Sequence, residues 1–207
     1  MTDETGADDA GIGAVTEWSG GFSWIAHPEE DAERASHALA TDAGVWVIDP
    51  VDADGLDDAL GELGDVAGVA VLQDRHTRDA AAVADRHDVA VSVPGWMELT
   101  REKLDADAEA TGETLAGTDY AVRELTRSDE WEEAVLWNGS TATLVVPETL
   151  GTLPAFGAEG DTLGLHPAVE EAPELLAAWE PEHVLVGHGV SVHEGASTAL
   201  AAVFDSN

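Results

Sequence analysis

The chain has 207 residues, of which 44% are hydrophobic, so it is long and apolar enough to build one sizeable core. Its 43 acidic and 8 basic residues give a formal net charge of −35, which argues against nucleic acid as a partner because phosphates need a basic surface. It has no cysteine, which excludes disulfides, thiolate metal ligands and a cysteine nucleophile.

The start of the chain is acidic and lacks the basic and apolar regions of a signal peptide, and no apolar run is long enough to span a bilayer. We therefore expect a cytoplasmic protein that does not contact a membrane. Residues 1–10 are expected to form a mobile acidic tail, and residues 11–207 a single domain.

The composition also indicates the solvent in which the chain works. Lysine is almost absent, since Lys103 is the only one, and the acidic surface resembles that of proteins from salt-in halophilic archaea. In molar salt the Debye length falls to about 3 Å, so self-repulsion is largely screened. We therefore expect a high-salt cytosol, with most carboxylates serving as solvated surface.

The first half of the chain predicts strands that alternate with helices. Short apolar runs bounded by turn residues predict strands, and leucines three and four residues apart predict amphipathic helices. The predicted strands are residues 12–18, 22–27, 35–40, 45–48, 69–72 and 89–93, and the predicted helices are residues 54–63 and 80–87. The later order of strand, helix, strand, helix and strand indicates parallel pairing with crossover helices.

The second half predicts a hairpin and three further helices. A helix is expected at residues 98–110, strands at 121–125, 134–137, 141–146 and 183–186, and helices at 173–179 and 194–204. Asn138-Gly139 is a strong hairpin signal between the second and third of these strands. Two sheets with helices outside them, an α/β fold with four αββα layers, fit this order best.

The most informative segment is residues 74–79, with the sequence DRHTRD. It places two carboxylates, one imidazole and two guanidiniums between a predicted strand and a predicted helix. Loops at the carboxyl ends of strands are where α/β proteins build their sites. The segment is therefore the first candidate for a functional site.

This segment resembles the metal-binding turn of the metallo-β-lactamase superfamily, which reads His-x-His-x-Asp-His. The resemblance puts Asp74 and His76 at the first two histidine positions, Arg78 at the aspartate position and Asp79 at the last histidine position. One of three histidines is therefore retained. The fold implied by the resemblance is the αββα sandwich.

Three further segments extend the resemblance over most of the chain. Residues 144–150 (LVVPETL) are similar to the strand that carries the bridging aspartate of the family, with Glu148 in that role. Residues 184–189 (VLVGHG) match the late Gly-His-Gly turn, which makes His188 a metal ligand. Asp49, after an earlier strand, takes the position that supports the metal-binding turn.

Two pocket residues follow from the same resemblance. The middle histidine ligand of the family has no counterpart, because no histidine lies between His87 and His166, and Asp129 is the substitute that we consider. Trp96 follows a Pro-Gly pair where the family places a pocket wall. The remaining histidines lack ligand spacing and are expected to be structural or exposed.

These replacements leave two hypotheses open. In one, Asp74, His76, Glu148 and His188 hold one divalent ion (Mn, Fe or Zn), with Arg78 and Asp79 as catalytic residues, and an activated water attacks an ester, thioester or phosphoester. In the other, the Arg78 guanidinium supplies the positive charge in place of a metal. The protein is then weakly active or non-catalytic and binds a small molecule or a protein, with a homodimer through the tryptophan-bearing early strands as one option.

Overall fold

The computed structural model describes residues 12–160 and 162–205, so the predicted tail over residues 1–10 lies outside the described residues. The described residues form thirteen strands, four α-helices and two short 3-10 helices at Pro154–Phe156 and Glu174–Ala178. The strands are β1 (Ala14–Trp18), β2 (Gly21–Ile25), β3 (Ala35–Thr41), β4 (Gly44–Ile48), β5 (Val66–Ala70), β6 (Val91–Pro94), β7 (Ala108–Thr111), β8 (Ala121–Arg127), β9 (Glu132–Asn138), β10 (Thr143–Val146), β11 (Leu150–Gly151), β12 (Gly164–Leu165) and β13 (His183–Val186). The helices are α1 (Leu56–Leu63), α2 (Ala80–Arg86), α3 (Glu98–Lys103) and α4 (Ala196–Asp205).

Two large sheets carry the fold. The first has seven strands in chain order, with β1 to β4 antiparallel and β4 to β7 parallel. The second has the order β13-β10-β9-β8, in which β10 and β13 are parallel and the other neighbours are antiparallel. The parallel pairing predicted for β4, β5 and β6 is confirmed.

The alternation of side chains along the second sheet separates two cores. Ala134 and Leu136 on β9 belong to the core that also contains residues of the first sheet, whereas Val135 belongs to the core that contains Leu200 and Val203 of α4. This follows from the period of two in a strand. The helices α1 and α2 cross over on the first sheet and α4 covers the second, so the predicted αββα arrangement is confirmed.

The helix predicted over residues 98–110 is wrong in its second half. Helix α3 ends at Lys103, where the following Leu104 turns to an extended conformation and is buried. Residues 108–111 then form β7, which pairs with β6 in parallel. The open edge of β6 offers a ladder of backbone partners that outweighs the local helical pattern. The helix predicted over residues 173–179 is a 3-10 helix at Glu174–Ala178.

The predicted hairpin is confirmed, with β9 and β10 antiparallel on either side of Asn138-Gly139. Its turn is held by the Asn138 side chain, which accepts hydrogen bonds from the Ser140 and Thr141 backbone N–H groups at 2.9 and 3.3 Å. Ala142 closes the loop with φ 47°.

A short crossing segment ties the two sheets together at one edge. After β5 the chain leaves the first sheet, and Leu72 accepts a hydrogen bond from the Ala134 N–H at 2.8 Å. Gln73 forms an antiparallel bridge with Glu133, and the Asp74 N–H donates to Glu132 O at 3.2 Å. This segment places residues 74–79 beside the second sheet. No helix in the described part of the chain is long and apolar enough to cross a membrane.

Candidate functional site

The site lies where four strands end at the same edge of the sandwich. Asp49 follows β4, residues 74–79 follow β5, Glu148 follows β10 and His188 follows β13. The strands β4 and β5 are parallel, as are β10 and β13, so within each pair the carboxyl ends meet. The crossing segment then joins the two pairs into one edge.

His76, Glu148 and His188 converge at this edge. The Nε2 atom of His76 lies 2.9 Å from Glu148 Oε2, and the Nε2 atom of His188 lies 3.1 Å from the same oxygen. Within residues 12–160 and 162–205, these three residues form a group whose donor atoms all lie within 4.8 Å of one another. The structure therefore brings together three of the four metal ligands that the sequence suggested.

The other nitrogen of each ring fixes how these two histidines face the carboxylate. His76 Nδ1 lies 3.1 Å from Asp49 Oδ2, and His188 Nδ1 lies 2.7 Å from Ala32 O. Because a carboxylate and a carbonyl only accept, both Nδ1 atoms carry the proton. Each Nε2 then has one of two states. It carries a second proton and donates to Glu148 Oε2, or it presents a lone pair, in which case a cation is needed between the two Nε2 atoms and Glu148 Oε2.

Charge follows from this arrangement. Burial alone would raise the pKa of Glu148, but the hydrogen bonds with His188 and His76 outweigh burial and hold that pKa well below its ordinary value. Glu148 is therefore an anion across the neutral range. Asp49, on the far side of His76, also accepts a hydrogen bond from the Leu72 N–H at 2.9 Å, so one carboxylate holds both the strand end and the histidine.

Arg78 reaches into the same site from the side of the first sheet. Its Nη1 atom donates to Ala35 O at 2.6 Å and to Asp49 O at 2.9 Å, and its Nη2 atom donates to Gly187 O at 3.3 Å. The same Nη2 lies 3.2 Å from His76 Nε2. Burial lowers the pKa of Arg78 to about 10 while Asp49 opposes the shift, so the guanidinium stays charged near neutral pH.

Asp74 does not join the cluster, although the sequence suggested it as a ligand. Its side chain is fully buried and forms an ion pair with Lys103. It also accepts hydrogen bonds from the Glu132 N–H at 3.0 Å and from Gln73 Nε2 at 3.2 Å. The reason is local, since the His76 N–H donates to Gln73 O at 3.0 Å and closes a turn. Side chains two residues apart no longer share one direction.

The structure also places the remaining suggested residues outside the cluster. Asp79 precedes α2 and accepts a hydrogen bond from the Asp52 N–H at 2.9 Å. Asp129 is exposed in the loop between β8 and β9. Trp96 is half-buried against the core of the first sheet, with Arg127 Cζ 6.0 Å from its ring.

Arg75 and His166 lie on the solvent side of Glu148, which we call the mouth of the site. Neither of them had a leading role in the prediction from the sequence. His166 Nε2 lies 3.4 Å from Glu148 Oε1, and Arg75 Nη1 lies 3.7 Å from the same oxygen. His166 reaches the site because the two-residue strands β11 and β12 pair and bring the chain back. Such short strands leave no periodic pattern in a sequence, so no signal pointed to this histidine.

A buried carboxylate, Glu133, holds the site in place. Its Oε1 atom accepts hydrogen bonds from the N–H groups of Glu148 and Thr149, both at 2.9 Å. Its Oε2 atom accepts from Trp131 Nε1 at 3.1 Å and from Thr149 Oγ1 at 2.5 Å. Burial raises the pKa of Glu133, and these hydrogen bonds oppose the rise. In the sequence Glu133 is one of many acidic residues, and nothing distinguishes it.

The donor set differs from the metal centre that the turn resembles. Two ions do not fit, because Asp74 and Asp79 are engaged elsewhere and a guanidinium stands at the aspartate position. One ion fits the donor set of His76, Glu148 and His188, although Arg78 competes for His76 Nε2.

No protein-family model and no curated protein matches the sequence. Solved structures do match the fold. DIM-1 metallo-β-lactamase exposed to ceftazidime has a TM-score of 0.63 at 12% identity, over 96% of this chain and 99% of that chain. The metallo-β-lactamase from Hirschia baltica has a TM-score of 0.58 at 8% identity, over 92% and 97%. TTHA1623 in a di-iron-bound form has a TM-score of 0.57 at 15% identity, over 81% and 93%. At such low identities the similarity concerns the backbone fold alone. Because residues 74–79, Glu148 and His188 also follow strands in the order of the resembled motifs, we conclude that this chain has the metallo-β-lactamase fold.

Proposed function

We propose that this protein is a ligand-binding member of the fold that does not carry out two-metal hydrolysis, and that the fixed guanidinium of Arg78 supplies positive charge where a metal centre would. The observation that carries the proposal is the place of that guanidinium. Three backbone carbonyls hold it 3.2 Å from His76 Nε2.

A guanidinium held in this way is difficult to displace. If the guanidinium moved away, the carbonyls of Ala35, Asp49 and Gly187 would lose their hydrogen-bond donor. Each buried group left without a partner costs about 1–3 kcal/mol. A divalent ion beside it would also meet a like charge at close range. Both effects disfavour metal at this position.

A second candidate function has its own supporting observation. Both Nδ1 atoms are committed to acceptors, so when the two rings are neutral the Nε2 atoms of His76 and His188 and the Oε2 atom of Glu148 form three converging acceptors. One Mn, Fe or Zn ion would satisfy all three. Such an ion lowers the pKa of bound water to about 7 and polarises an ester, thioester or phosphoester bond.

Metal analysis separates the two candidates. The protein is purified in molar KCl without chelator, because its charge of −35 needs screening, and Mn, Fe and Zn are measured per chain. We expect far less than one ion per chain and no thermal shift on adding any of the three. One stoichiometric ion that disappears in His76→Ala would overturn the proposal and establish the one-metal candidate.

Arg78→Gln provides the matched variant for this experiment. It removes the competing charge and keeps an N–H donor for part of the carbonyl set. We expect this variant to take up one divalent ion that wild type does not. His76→Ala in the same background should abolish that uptake.

A further inference from the structure

We infer that the mouth of this site binds the oxyanion of a small molecule, a carboxylate or a phosphate, and that Arg75 and His166 are its donors. The inference rests on the proposed function and names the ligand class of the same site.

The first support is the distribution of charge. The chain has 8 lysines and arginines and 8 histidines among 43 acidic residues. Arg75 and Arg78 are two of the eight basic residues, and three histidines accompany them within contact of Glu148 or of one another. The remaining surface is strongly acidic, so a small anion is repelled least where two guanidiniums stand beside the carboxylates Glu148 and Asp49.

Arg75 is the donor with free capacity. Its side chain is 47% exposed, and its nearest carboxylate oxygen, Glu148 Oε1, lies at 3.7 Å, which is longer than a hydrogen bond. In the described part of the chain, no hydrogen bond of this guanidinium is seen. A planar guanidinium fork of this kind pairs with carboxylate or phosphate oxygens in a bidentate manner.

An aromatic ring behind Arg75 fixes its position. Arg75 Cζ lies 4.9 Å from the ring centroid of Trp131, a cation–π contact. Trp131 is itself held by its Nε1 hydrogen bond to Glu133 at 3.1 Å. The guanidinium is therefore oriented before any ligand arrives, which reduces the entropy lost on binding.

His166 presents its N–H in the same direction. Its Nδ1 atom accepts a hydrogen bond from the Ala168 N–H at 3.1 Å, so the neutral ring carries its proton on Nε2. That Nε2 faces Glu148 Oε1 at 3.4 Å. The ring is braced edge-on by Trp131 at 4.8 Å and by Phe156 at 5.6 Å between centroids.

The contacts of Glu148 indicate which class of ligand Arg75 and His166 would bind. Its Oε2 atom is engaged by His76 and His188, whereas its Oε1 atom lies between Arg75 and His166, too far from both for a strong hydrogen bond. Both donors therefore keep hydrogen-bonding capacity for an oxyanion beside a carboxylate oxygen that neither of them binds closely. An incoming carboxylate or phosphate would complete both contacts, with His76 and His188 retaining Glu148.

The test measures binding of inorganic phosphate and of benzoate by calorimetry in molar KCl, with and without EDTA. We expect saturable binding of at least one of them, unchanged by EDTA. Arg75→Gln should weaken it at least tenfold, His166→Ala about threefold, and Arg75→Lys by an intermediate factor because the charge stays and the fork is lost. Arg123→Gln is the control, since Arg123 lies on β8 and donates to the backbone carbonyls of Glu113 and Val122.

The outcomes separate this inference from the proposed function. Binding of phosphate alone or of benzoate alone identifies the oxyanion. Binding of neither, or equal binding by Arg75→Gln and wild type with unchanged circular dichroism, overturns the inference while the metal-free proposal stands. Anion binding that EDTA abolishes, together with one stoichiometric metal ion, overturns both, because the anion then ligates the metal.

Discussion

The two sides of the turn at residues 74–79 have opposite roles. His76 and Arg78 face inward, toward Glu148 and the backbone carbonyls at the strand ends. Asp74, although buried, and Asp79 point away from the site, toward Lys103 and the Asp52 N–H, and form the side called outward below. The difference shows that the two aspartates standing at histidine positions of the resembled motif became structural anchors. Of the four residues of this turn that the resemblance aligned with the motif, the inward pair alone contacts the cluster around Glu148.

The positive charge on the inward side affects the pKa of a neighbouring histidine, His37. His37 is buried on β3, where its Nδ1 atom accepts a hydrogen bond from Ser23 Oγ at 2.8 Å. Burial, followed by the charge of Arg78, lowers the pKa of His37 from 6.5 to about 3.

We expect acid to destabilise the protein through His37. Below pH 6.5 His37 is protonated in the unfolded chain, whereas in the folded chain it stays neutral down to about pH 3. The free energy of unfolding therefore falls as the pH drops through this window. The full shift corresponds to about 5 kcal/mol. Urea unfolding in molar KCl at pH 7, 5 and 4 measures it. His37→Gln should flatten the slope between pH 6.5 and 4, and an unchanged slope would contradict this assignment.

Removing the outward anchor nearest the second sheet should cost almost as much. Asp74→Ala leaves the Glu132 N–H and Gln73 Nε2 without an acceptor and breaks the pair with Lys103, for a loss of about 3 kcal/mol. The measurement is the unfolding free energy at pH 7. Asp129→Ala removes an exposed carboxylate and should change stability by less than about 0.5 kcal/mol. A similar loss in both variants would remove the distinction between the two sides.

Removing the inward guanidinium should have a smaller effect on stability but a broader effect on charge. Arg78→Gln is expected to lose about 2 kcal/mol, because some of the three carbonyls stay paired. The pKa of His37 should rise, since the charge of Arg78 lowers it in wild type. Titration of His37 by NMR measures the change. A His37 pKa that does not move would show that the inward side does not act as one electrostatic unit.

The smallest effect is expected at the second outward anchor. Asp79→Ala removes the acceptor of the Asp52 N–H, a part-buried hydrogen bond worth about 1 kcal/mol. Phosphate or benzoate affinity should stay within twofold of wild type. A loss of tenfold or more with unchanged circular dichroism would place Asp79 in the site, where the sequence had suggested a catalytic role for it.

The sequence predicted the fold more reliably than the site. Strand order, parallel pairing and the hairpin at Asn138-Gly139 follow from hydrophobic periods and turn residues, which are local. The convergence of His76, Glu148 and His188 could be anticipated because parallel strands end at one edge. The direction of Asp74 could not, since it depends on a turn closed by one backbone hydrogen bond.

The parts that sequence analysis missed depend on non-local contacts. Strand β7 forms because β6 has an open edge, and His166 reaches the site through a pair of two-residue strands. Glu133 accepts four hydrogen bonds. In a chain with 43 acidic residues, however, the residue type alone does not predict which carboxylate is buried. Only the packed structure separates this carboxylate from the solvated ones.

The crossing segment at residues 72–74 has a consequence for cooperativity. Its hydrogen bonds to Ala134 and Glu132 join the two sheets beside the site. Neither sheet can open at that edge by local fluctuation without breaking them, so the two halves of the sandwich are expected to unfold there as one unit. Arg75 directly follows this segment, so a ligand meets this donor on a backbone that both sheets hold in place.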